Sequence, residues 1–306
     1  MLKRILRPAA LLAAASFALV LPAAHAQQPS KPVKKAKAAG TPDFTKDGAP
    51  NLLSSAVMVF DPVTGKELFA KNADAPVPIA SITKIMTAMV VLDAKLGMDD
   101  PVIIDAADID TIKGSRSRLP VGSAFRREDL MRLALMASDN RAASALGRAY
   151  PGGMPAFVDA MNAKARLLTL SSTRFVDPTG LAPGNVSSPQ DLARMVAEAA
   201  KYPQIRDFST TPELHVTLPN AKRPMGFSNT NQLVKSQNWD IGLSKTGYIN
   251  EAGKCLVMQA TIANHPVVIV LLDSWGRLTR IGDANRIKKW IETKKHIVSA
   301  QKVPAA

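Results

Sequence analysis

The chain has 306 residues, of which 5% are aromatic, and it carries a formal net charge of +14 at pH 7. This positive charge suits contact with an anionic surface, such as a cell-wall polymer or phospholipid headgroups. Nucleic-acid binding is not favoured, because the sequence contains no basic helix with interleaved aromatic residues.

The cysteine and histidine content excludes two further kinds of site. Cys255 has no partner for an internal disulfide, and it lies in an apolar, strand-like segment where an inert core thiol is expected. His215, His265 and His296 show no paired spacing on one helix face and no cysteine partners nearby. The sequence therefore predicts no metal site, and it indicates no cofactor.

Residues 1–26 have the composition of an export signal. A positively charged head precedes an apolar run, 9–21, and the small-residue segment Ala24-His25-Ala26 is typical of a cleavage site. The run is too short to span a bilayer, which takes about 20 apolar residues. We expect cleavage after Ala26 and a periplasmic protein, with retention as a membrane anchor as the alternative.

The segment 27–50 is rich in Lys, Pro, Ala and Gly and nearly free of branched or aromatic side chains. Such a segment buries too little apolar surface to offset its chain entropy, so a flexible basic linker is predicted. Residues 51–293 are long enough for one large domain or two closely joined ones, and 294–306 form a tail.

The domain begins with a predicted β-hairpin and continues with helices. Strands are predicted at 54–60 and 66–71, on either side of the turn residues 61–65. A helix is predicted over 81–96, where apolar residues recur at helical spacing before Gly97. Further helical patterns cover 127–137, 141–150, 154–168 and 190–201.

Strand character returns in the last third of the chain. The predicted strands are 214–218, 241–246, 256–262 and 267–272, with a turn at 264–266 and a closing amphipathic helix at 278–292. This order describes an α/β (α+β) protein: an antiparallel sheet flanked by helices, with an all-helical lobe at roughly 98–205 inserted between its halves. A cleft between the lobes is the expected place for chemistry.

Three short motifs occur in a fixed order along the chain. They are Ser81-Ile82-Thr83-Lys84, Ser138-Asp139-Asn140 and Lys245-Thr246-Gly247. Each by itself is common as a helix cap, a polar loop or a turn. Their order, with each in the local structure that its role requires, indicates a serine acyl-transferase that needs no histidine.

The first motif pairs a nucleophile with a base. Ser81 and Lys84 share one face at the start of a predicted helix, so the amine can reach the hydroxyl. A lysine can take the serine proton if burial beside another cation disfavours its charged form, and Lys245 is the predicted second cation. Free backbone N–H groups at the helix start can stabilise an oxyanion.

The other two motifs supply groups around this pair. Ser138 can relay a proton between Lys84 and a leaving nitrogen, and the Asn140 amide can orient Lys84 and bind the substrate backbone. Thr246 and Lys245 are available to a carboxylate. Gly247 permits close approach of a substrate chain, and the strand edge can pair with an extended peptide.

These motifs, together with segments 61–65, 78–88 and 175–181, resemble the penicillin-recognising serine enzymes, and among them the low-molecular-mass D,D-peptidases. The resemblance covers most of residues 51–293 and implies a β-lactamase/transpeptidase-like fold. It also implies an acyl-enzyme on Ser81, Lys84 as the proton acceptor and Ser138 as the proton shuttle.

The same resemblance implies that Lys245 and Thr246 bind substrate, and that the backbone N–H groups of Ser81 and Tyr248 form an oxyanion hole. The implied partners are peptidoglycan stem peptides and cross-links as substrates and β-lactam antibiotics as covalent inhibitors.

Three functions compete: a D,D-peptidase, a serine β-lactamase, and a wall-binding protein with a vestigial site. A class A lactamase would carry a deacylating glutamate, but between Ser138 and Lys245 the only glutamates are Glu198 and Glu213, and the loop 168–185 has none. Asp177 in that loop is predicted to be a turn residue. A vestigial site is disfavoured because nucleophile and base are both present.

Endopeptidase and carboxypeptidase differ in the group that leaves. Family carboxypeptidases often append a C-terminal β-rich domain, whereas only 59 residues follow Gly247 here, so the resemblance favours an endopeptidase that cuts cross-links. A carboxypeptidase that trims pentapeptides is the alternative. Arg116, Arg118 and Arg141 lie near the second motif, either as carboxylate ligands or as solvated helix-end charges.

Overall fold

The computed structural model describes residues 42–217 and 224–293. The predicted signal peptide, residues 27–41 of the predicted linker and the predicted tail lie outside these ranges. Within them, none of the helices has the length and hydrophobicity needed to cross a bilayer.

Eleven strands form the sheets of the described residues. In chain order they are β1 (Ala56–Asp61), β2 (Lys66–Lys71), β3 (Val77–Pro78), β4 (Pro101–Ile103), β5 (Ala124–Arg126), β6 (Val186–Ser187), β7 (Glu213–Val216), β8 (Met225–Ser228), β9 (Asp240–Ile249), β10 (Gly253–Ile262) and β11 (His265–Ser274).

Seven α-helices accompany them in the same part of the chain. They are α1 (Thr83–Asp93), α2 (Arg127–Met136), α3 (Asn140–Arg148), α4 (Gly153–Leu167), α5 (Pro189–Ala199), α6 (Pro203–Thr210) and α7 (Thr279–Thr293). Short 3₁₀ turns occur at Ala80–Ile82, Ala106–Asp108 and Gln232–Lys235.

The centre of the domain is a five-stranded antiparallel sheet in the order β2-β1-β11-β10-β9. The predicted hairpin and the three long strands near the end of the chain are confirmed. The tight turn between β10 and β11 falls on Ala263 and Asn264, which both have positive φ, so His265 already belongs to β11. Strand β9, which carries the third motif, lies at an edge of the sheet.

Successive residues of a strand point to opposite faces of the sheet, and here both sets are apolar. Both faces of the sheet are therefore covered by helices. Val57 and Ile269 pack with Ile287 of α7 on one face. Met58 and Val270 belong to the larger core that contains α1 and α5 on the other face. The fold is the antiparallel sheet flanked by helices that the sequence predicts, with α2, α3 and α4 packed on α1.

Helix α1 is shorter than the predicted helix at 81–96. It begins after the 3₁₀ turn Ala80–Ile82, so Ser81 precedes the α-helix. It ends at Asp93, and Lys95 rather than Gly97 takes the left-handed conformation, with φ 52°. Its residues from Thr83 to Val91 are all buried, which makes α1 the central helix of the larger core.

Several short elements were not predicted. These are α6 and the two-stranded pairs β3·β6, β4·β5 and β7·β8, of which the last corresponds only in part to the predicted strand 214–218. Strands of two to four residues carry too little alternation for a pattern to show. Residues 42–50, assigned above to the linker, contact α7: Asp43 lies 2.7 Å from Lys289, and Phe44 packs against the apolar face that includes Trp290.

Candidate active site

The 3₁₀ turn Ala80–Ile82 places Ser81 two residues before the first residue of α1. Ala80 has a positive φ of 49°, which bends the chain before the serine. Lys84, in the first turn of α1, then lies with its Nζ 2.9 Å from Ser81 Oγ. The side chain of Ser81 is partly exposed while Lys84 is 1% exposed, so a half-accessible hydroxyl lies against a buried amine.

Two glycines pack against this turn. A Cβ on Gly180, whose φ is +81°, would lie 2.0 Å from the Ala80 carbonyl oxygen. A Cβ on Gly247 would lie 2.9 Å from the Ile79 carbonyl oxygen and 3.2 Å from Ser81 N. Gly247, which is predicted to permit close approach of a substrate chain, packs against the Ser81 turn. The absence of a side chain at Gly247 brings β9 close to Ser81.

Lys84 is held by three oxygen atoms. Its Nζ lies 2.9 Å from Ser81 Oγ, 2.7 Å from Asn140 Oδ1 and 2.6 Å from the carbonyl oxygen of Thr179. Burial lowers the pKa of Lys84 from 10.5 to about 7, although the carboxylates of Asp177, Asp139 and Asp110 oppose this shift. A substantial fraction of this amine is therefore neutral near pH 7 and able to accept a proton.

The loop 168–185 supplies the third of these oxygens. Asp177 Oδ1 accepts hydrogen bonds from the backbone N–H groups of Thr179 (2.6 Å) and Gly180 (2.8 Å), and Oδ2 accepts one from Ala182 (3.1 Å). The prediction that Asp177 is a turn residue is confirmed. Its carboxylate shapes the loop and thereby directs the Thr179 carbonyl at Lys84.

The second motif lies at the predicted break between α2 and α3, with Ser138 and Asp139 before α3 and Asn140 as its first residue. Ser138 has a φ of 58°, and Asp139 caps α3 by accepting the N–H of Ala142 at 2.9 Å. Asn140 binds Lys84 through its oxygen and donates to Ser115 Oγ at 2.8 Å through its nitrogen. Both polar ends of the amide are thus engaged, which sets its orientation.

Ser138 is bonded to Lys245. The Lys245 Nζ donates to Ser138 Oγ at 2.8 Å and to the Thr246 carbonyl at 2.8 Å. No hydrogen bond joins Ser138 to Lys84 among the described residues. Burial, followed by the charges of Lys84 and Arg280, lowers the pKa of Lys245 well below its ordinary value. Burial is thus the main cause of the lowered pKa in both lysines, and nearby cations add to the lowering at Lys245, whereas nearby carboxylates oppose it at Lys84.

The remaining predicted residues lie at the end of β9. Thr246 is buried and its hydroxyl donates to Thr230 Oγ1 at 2.7 Å. Tyr248 is 56% exposed, and its hydroxyl donates to Asn250 Oδ1 at 2.9 Å. Since Gly247 lies against the Ser81 backbone, Tyr248 is the next residue of β9 after this contact.

Arg280, the second residue of α7, was not predicted. Its guanidinium is half-buried, and its Nε and Nη1 have no hydrogen-bond partner within the described ranges. Its charge contributes to the lowered pKa of Lys245, so the two cations lie near each other. An arginine with two unpartnered donors, near a second basic side chain, is suited to bind a carboxylate. The sequence signal was weak: a single arginine in an amphipathic helix.

The three arginines near the second motif differ in their contacts. Arg118 Nη1 donates to the Gly226 carbonyl at 2.8 Å and its guanidinium stacks 4.0 Å from the Phe227 ring. Arg141 donates to the Leu119 carbonyl, and Arg116 is exposed. Arg118 and Arg141 therefore bind backbone carbonyls, of β8 and of the segment before β5 respectively.

Neither a reactive cysteine nor a metal-ligand cluster is found among the described residues. Cys255 is fully buried, and burial raises the pKa of its thiol to about 11, as expected of an inert core residue. Among the described residues, no three His, Cys, Asp or Glu side chains are placed to hold a metal ion.

Comparisons with known proteins agree with these features. The model of a peptidase family described as D-alanyl-D-alanine carboxypeptidase matches residues 43–275. A D-alanyl-D-alanine endopeptidase of Pseudomonas aeruginosa is 49% identical, over 79% of this chain and 78% of its own. A D-alanyl-D-alanine endopeptidase of Escherichia coli is 45% identical, over 88% of this chain and 85% of its own.

A solved structure shares the fold. The Streptomyces K15 DD-transpeptidase superposes with a TM-score of 0.74 at 30% sequence identity, and the match covers 79% of this chain and 97% of that chain.

Proposed function

The chain belongs to the D-alanyl-D-alanine carboxypeptidase family of serine D,D-peptidases, and from this premise we propose that it is an endopeptidase that hydrolyses D-alanyl cross-links of peptidoglycan. Within the family its sequence resembles penicillin-binding protein seven, a D-alanyl-D-alanine endopeptidase. One observation carries the catalytic assignment: Ser81 Oγ lies 2.9 Å from a buried lysine whose pKa is about 7.

In the acylation step, neutral Lys84 accepts the proton of Ser81 as Oγ attacks the D-alanyl carbonyl. The backbone N–H groups of Ser81 and Tyr248 stabilise the oxyanion, which forms where Gly247 brings the two segments together. The C–N bond then breaks and leaves an ester on Ser81. Asn140 Oδ1 and the Thr179 carbonyl oxygen hold the Lys84 amine in place throughout this step.

The leaving nitrogen takes a proton as this bond breaks. Ser138 accepts a hydrogen bond from Lys245, so its own O–H is free to donate to that nitrogen. After acylation, Ser81 no longer has a hydroxyl group. Protonated Lys84 then transfers the proton that it took from Ser81 to Ser138, which replaces the proton given to the leaving nitrogen. A water molecule then cleaves the ester and returns a proton to Ser81 Oγ.

Lys245, Thr246 and Arg280 bind the carboxylate of the leaving residue, which adjoins the cleaved bond. Arg280 supports this role because its Nε and Nη1 have no hydrogen-bond partner among the described residues. The edge strand β9 pairs with the extended stem peptide, by strand addition.

A β-lactamase is not supported by the loop 168–185. Its only acidic residue is Asp177, whose two oxygens accept hydrogen bonds from the loop backbone. No carboxylate of that loop remains to activate a water molecule against an acyl-enzyme. A β-lactam ester on Ser81 is therefore expected to be hydrolysed slowly, so that the drug acts as an inhibitor. The export signal and the basic net charge fit a periplasmic enzyme that works at the anionic cell wall.

Digestion of purified muropeptides tests the proposal. The mature protein is expected to convert cross-linked dimers to monomers and to be labelled covalently by a fluorescent penicillin, and Ser81→Ala is expected to lose both activities. If pentapeptides lose a terminal D-alanine while dimers persist, the enzyme is a carboxypeptidase. Undiminished labelling of Ser81→Ala contradicts the nucleophile.

A further inference from the structure

An exposed aromatic surface adjoins the proposed site. Trp275, the residue after β11, is 82% exposed, and Tyr248 at the end of β9 is 56% exposed. Both line a surface cavity of about 440 Å³, together with the polar side chains of Asn250, Lys254 and Asp273. Single exposed apolar residues are common, but two large exposed aromatic rings that line one cavity together with polar groups are suited to contact a ligand.

The backbone holds this surface in shape. Lys254 pairs with Tyr248 on one side and with Ser274 on the other, so Trp275 lies about two strand spacings, or about 10 Å, from Tyr248. The β10·β11 register shifts next to Lys254, and Asp273 has a positive φ of 48°. This irregularity ends the sheet immediately before Trp275.

Side-chain contacts fix the other wall of the cavity. The Lys254 Nζ lies 4.7 Å from the centre of the Tyr248 ring, and the Tyr248 hydroxyl donates to Asn250. A Cβ on Gly253 would lie 2.5 Å from Asp273 Oδ1, so the carboxylate occupies space that another residue would fill. The cavity therefore combines an apolar aromatic face with amide, ammonium and carboxylate groups.

The proposed chemistry sets the direction of the substrate along β9. The leaving carboxylate lies at Lys245 and Thr246, and the cleaved carbonyl lies at Ser81 and the Tyr248 N–H. The leaving residue of the substrate therefore lies beside Thr246, and the residues on the N-terminal side of the cleaved bond lie towards Tyr248. The part of the donor stem peptide that precedes the cleaved bond then continues past Tyr248, towards the cavity that Tyr248 and Trp275 line.

We propose that this cavity is a sugar-binding subsite, in which Trp275 stacks on a ring of the glycan strand that carries the donor stem peptide. This inference rests on the proposed function. A stem of about four residues spans about 13 Å when extended, which is enough to reach from the site to Trp275. A sugar ring offers an apolar face to the indole and hydroxyls to Asn250, Lys254 and Asp273.

The test compares two cross-linked substrates, one with its sugars and one from which the sugars have been removed. Trp275→Ala is expected to lower kcat/KM about tenfold on the sugar-bearing dimer and to leave the sugar-free dimer unchanged. Trp275→Phe retains an aromatic ring and is expected to keep most of the activity. Leu278→Ala, at a neighbouring residue that is 58% exposed, is the matched control and should leave both rates unchanged.

Two further measurements separate the possible failures. Fluorescent penicillin should label Trp275→Ala at the wild-type rate, and absent labelling of the wild type would contradict the proposed function alone. Glycan fragments should still protect Trp275 of Ser81→Ala from acrylamide quenching, since this readout needs no hydrolysis. Equal losses on both substrates, or no loss on either, overturn the sugar subsite. Lost binding to anionic vesicles, with unchanged substrate discrimination, assigns Trp275 to a membrane surface instead.

Discussion

The buried amine of Lys84 makes the rate of acylation depend on pH. Because the base must be neutral to accept the Ser81 proton, acylation is expected to rise as the pH increases through the pKa of Lys84, which is about 7. About a tenth of the amine is neutral at pH 6 and about nine-tenths at pH 8. The expected profile therefore rises between these values and levels off above them.

The size of the effect follows from the shift in pKa. At its ordinary value of 10.5, a lysine would be neutral in only about one molecule in 3,000 at pH 7, against about half at a pKa of about 7. The difference corresponds to about 5 kcal/mol of preference for the neutral form, an order of magnitude set by complete burial. Burial of Lys84 in the folded protein thus accounts for nearly all of the neutral amine present at pH 7.

Stopped-flow labelling with a fluorescent penicillin between pH 5.5 and pH 9 measures this profile. Lys84→Ala is expected to slow acylation by about 10²- to 10⁴-fold and to remove the rise near pH 7, while non-covalent binding changes little. Lys66→Ala, at an exposed lysine of the first hairpin, is the control and should keep the wild-type profile. A flat wild-type profile from pH 6 to pH 8, or normal acylation by Lys84→Ala, would refute Lys84 as the base.

Two more substitutions test the surroundings of the nucleophile. Gly180→Ala is expected to cost about 3 kcal/mol in unfolding free energy and to slow labelling, because its Cβ would lie 2.0 Å from the Ala80 carbonyl oxygen. Gly65 has a similar positive φ but open space around it, so Gly65→Ala should cost about 1 kcal/mol in urea unfolding. Equal losses in the two variants would show that the contact between residue 180 and Ala80 is unimportant. Arg280→Ala is expected to lower kcat/KM about 10- to 100-fold on a peptide with a free leaving carboxylate and to reduce discrimination against the amidated peptide by the same factor, since Lys245 and Thr246 remain. Arg277→Ala, at an exposed arginine nearby, serves as its control, and undiminished discrimination by Arg280→Ala would exclude Arg280 as a carboxylate ligand.

Local patterns were enough to predict most of the regular elements. The hairpin of β1 and β2, the helices α2 to α5 and the strands β9 to β11 each carry a run of apolar residues long enough to show its period. The α6 helix and the short pairs β3·β6 and β4·β5 were not predicted, because their few residues show no period of their own. They are formed by contacts with distant parts of the chain.

The candidate site divides in the same way. The contact between Ser81 and Lys84 follows from their spacing of three residues, and the positions of Ser138 and Asn140 follow from a break between two helical patterns. The bond between Ser138 and Lys245 joins residues 107 positions apart, so no local pattern shows it.

Only the tertiary structure shows why Lys84 can act as a base. The sequence by itself determined the three motifs, their order, and the side chains within them that we propose to carry the chemistry. The Thr179 carbonyl that holds Lys84 has no side-chain identity to read, and Arg280 is a single cation on a distant helix. The lowered pKa of Lys84 comes from its burial, and burial depends on every element packed around α1. A property that many distant segments produce together is not visible in any one of them.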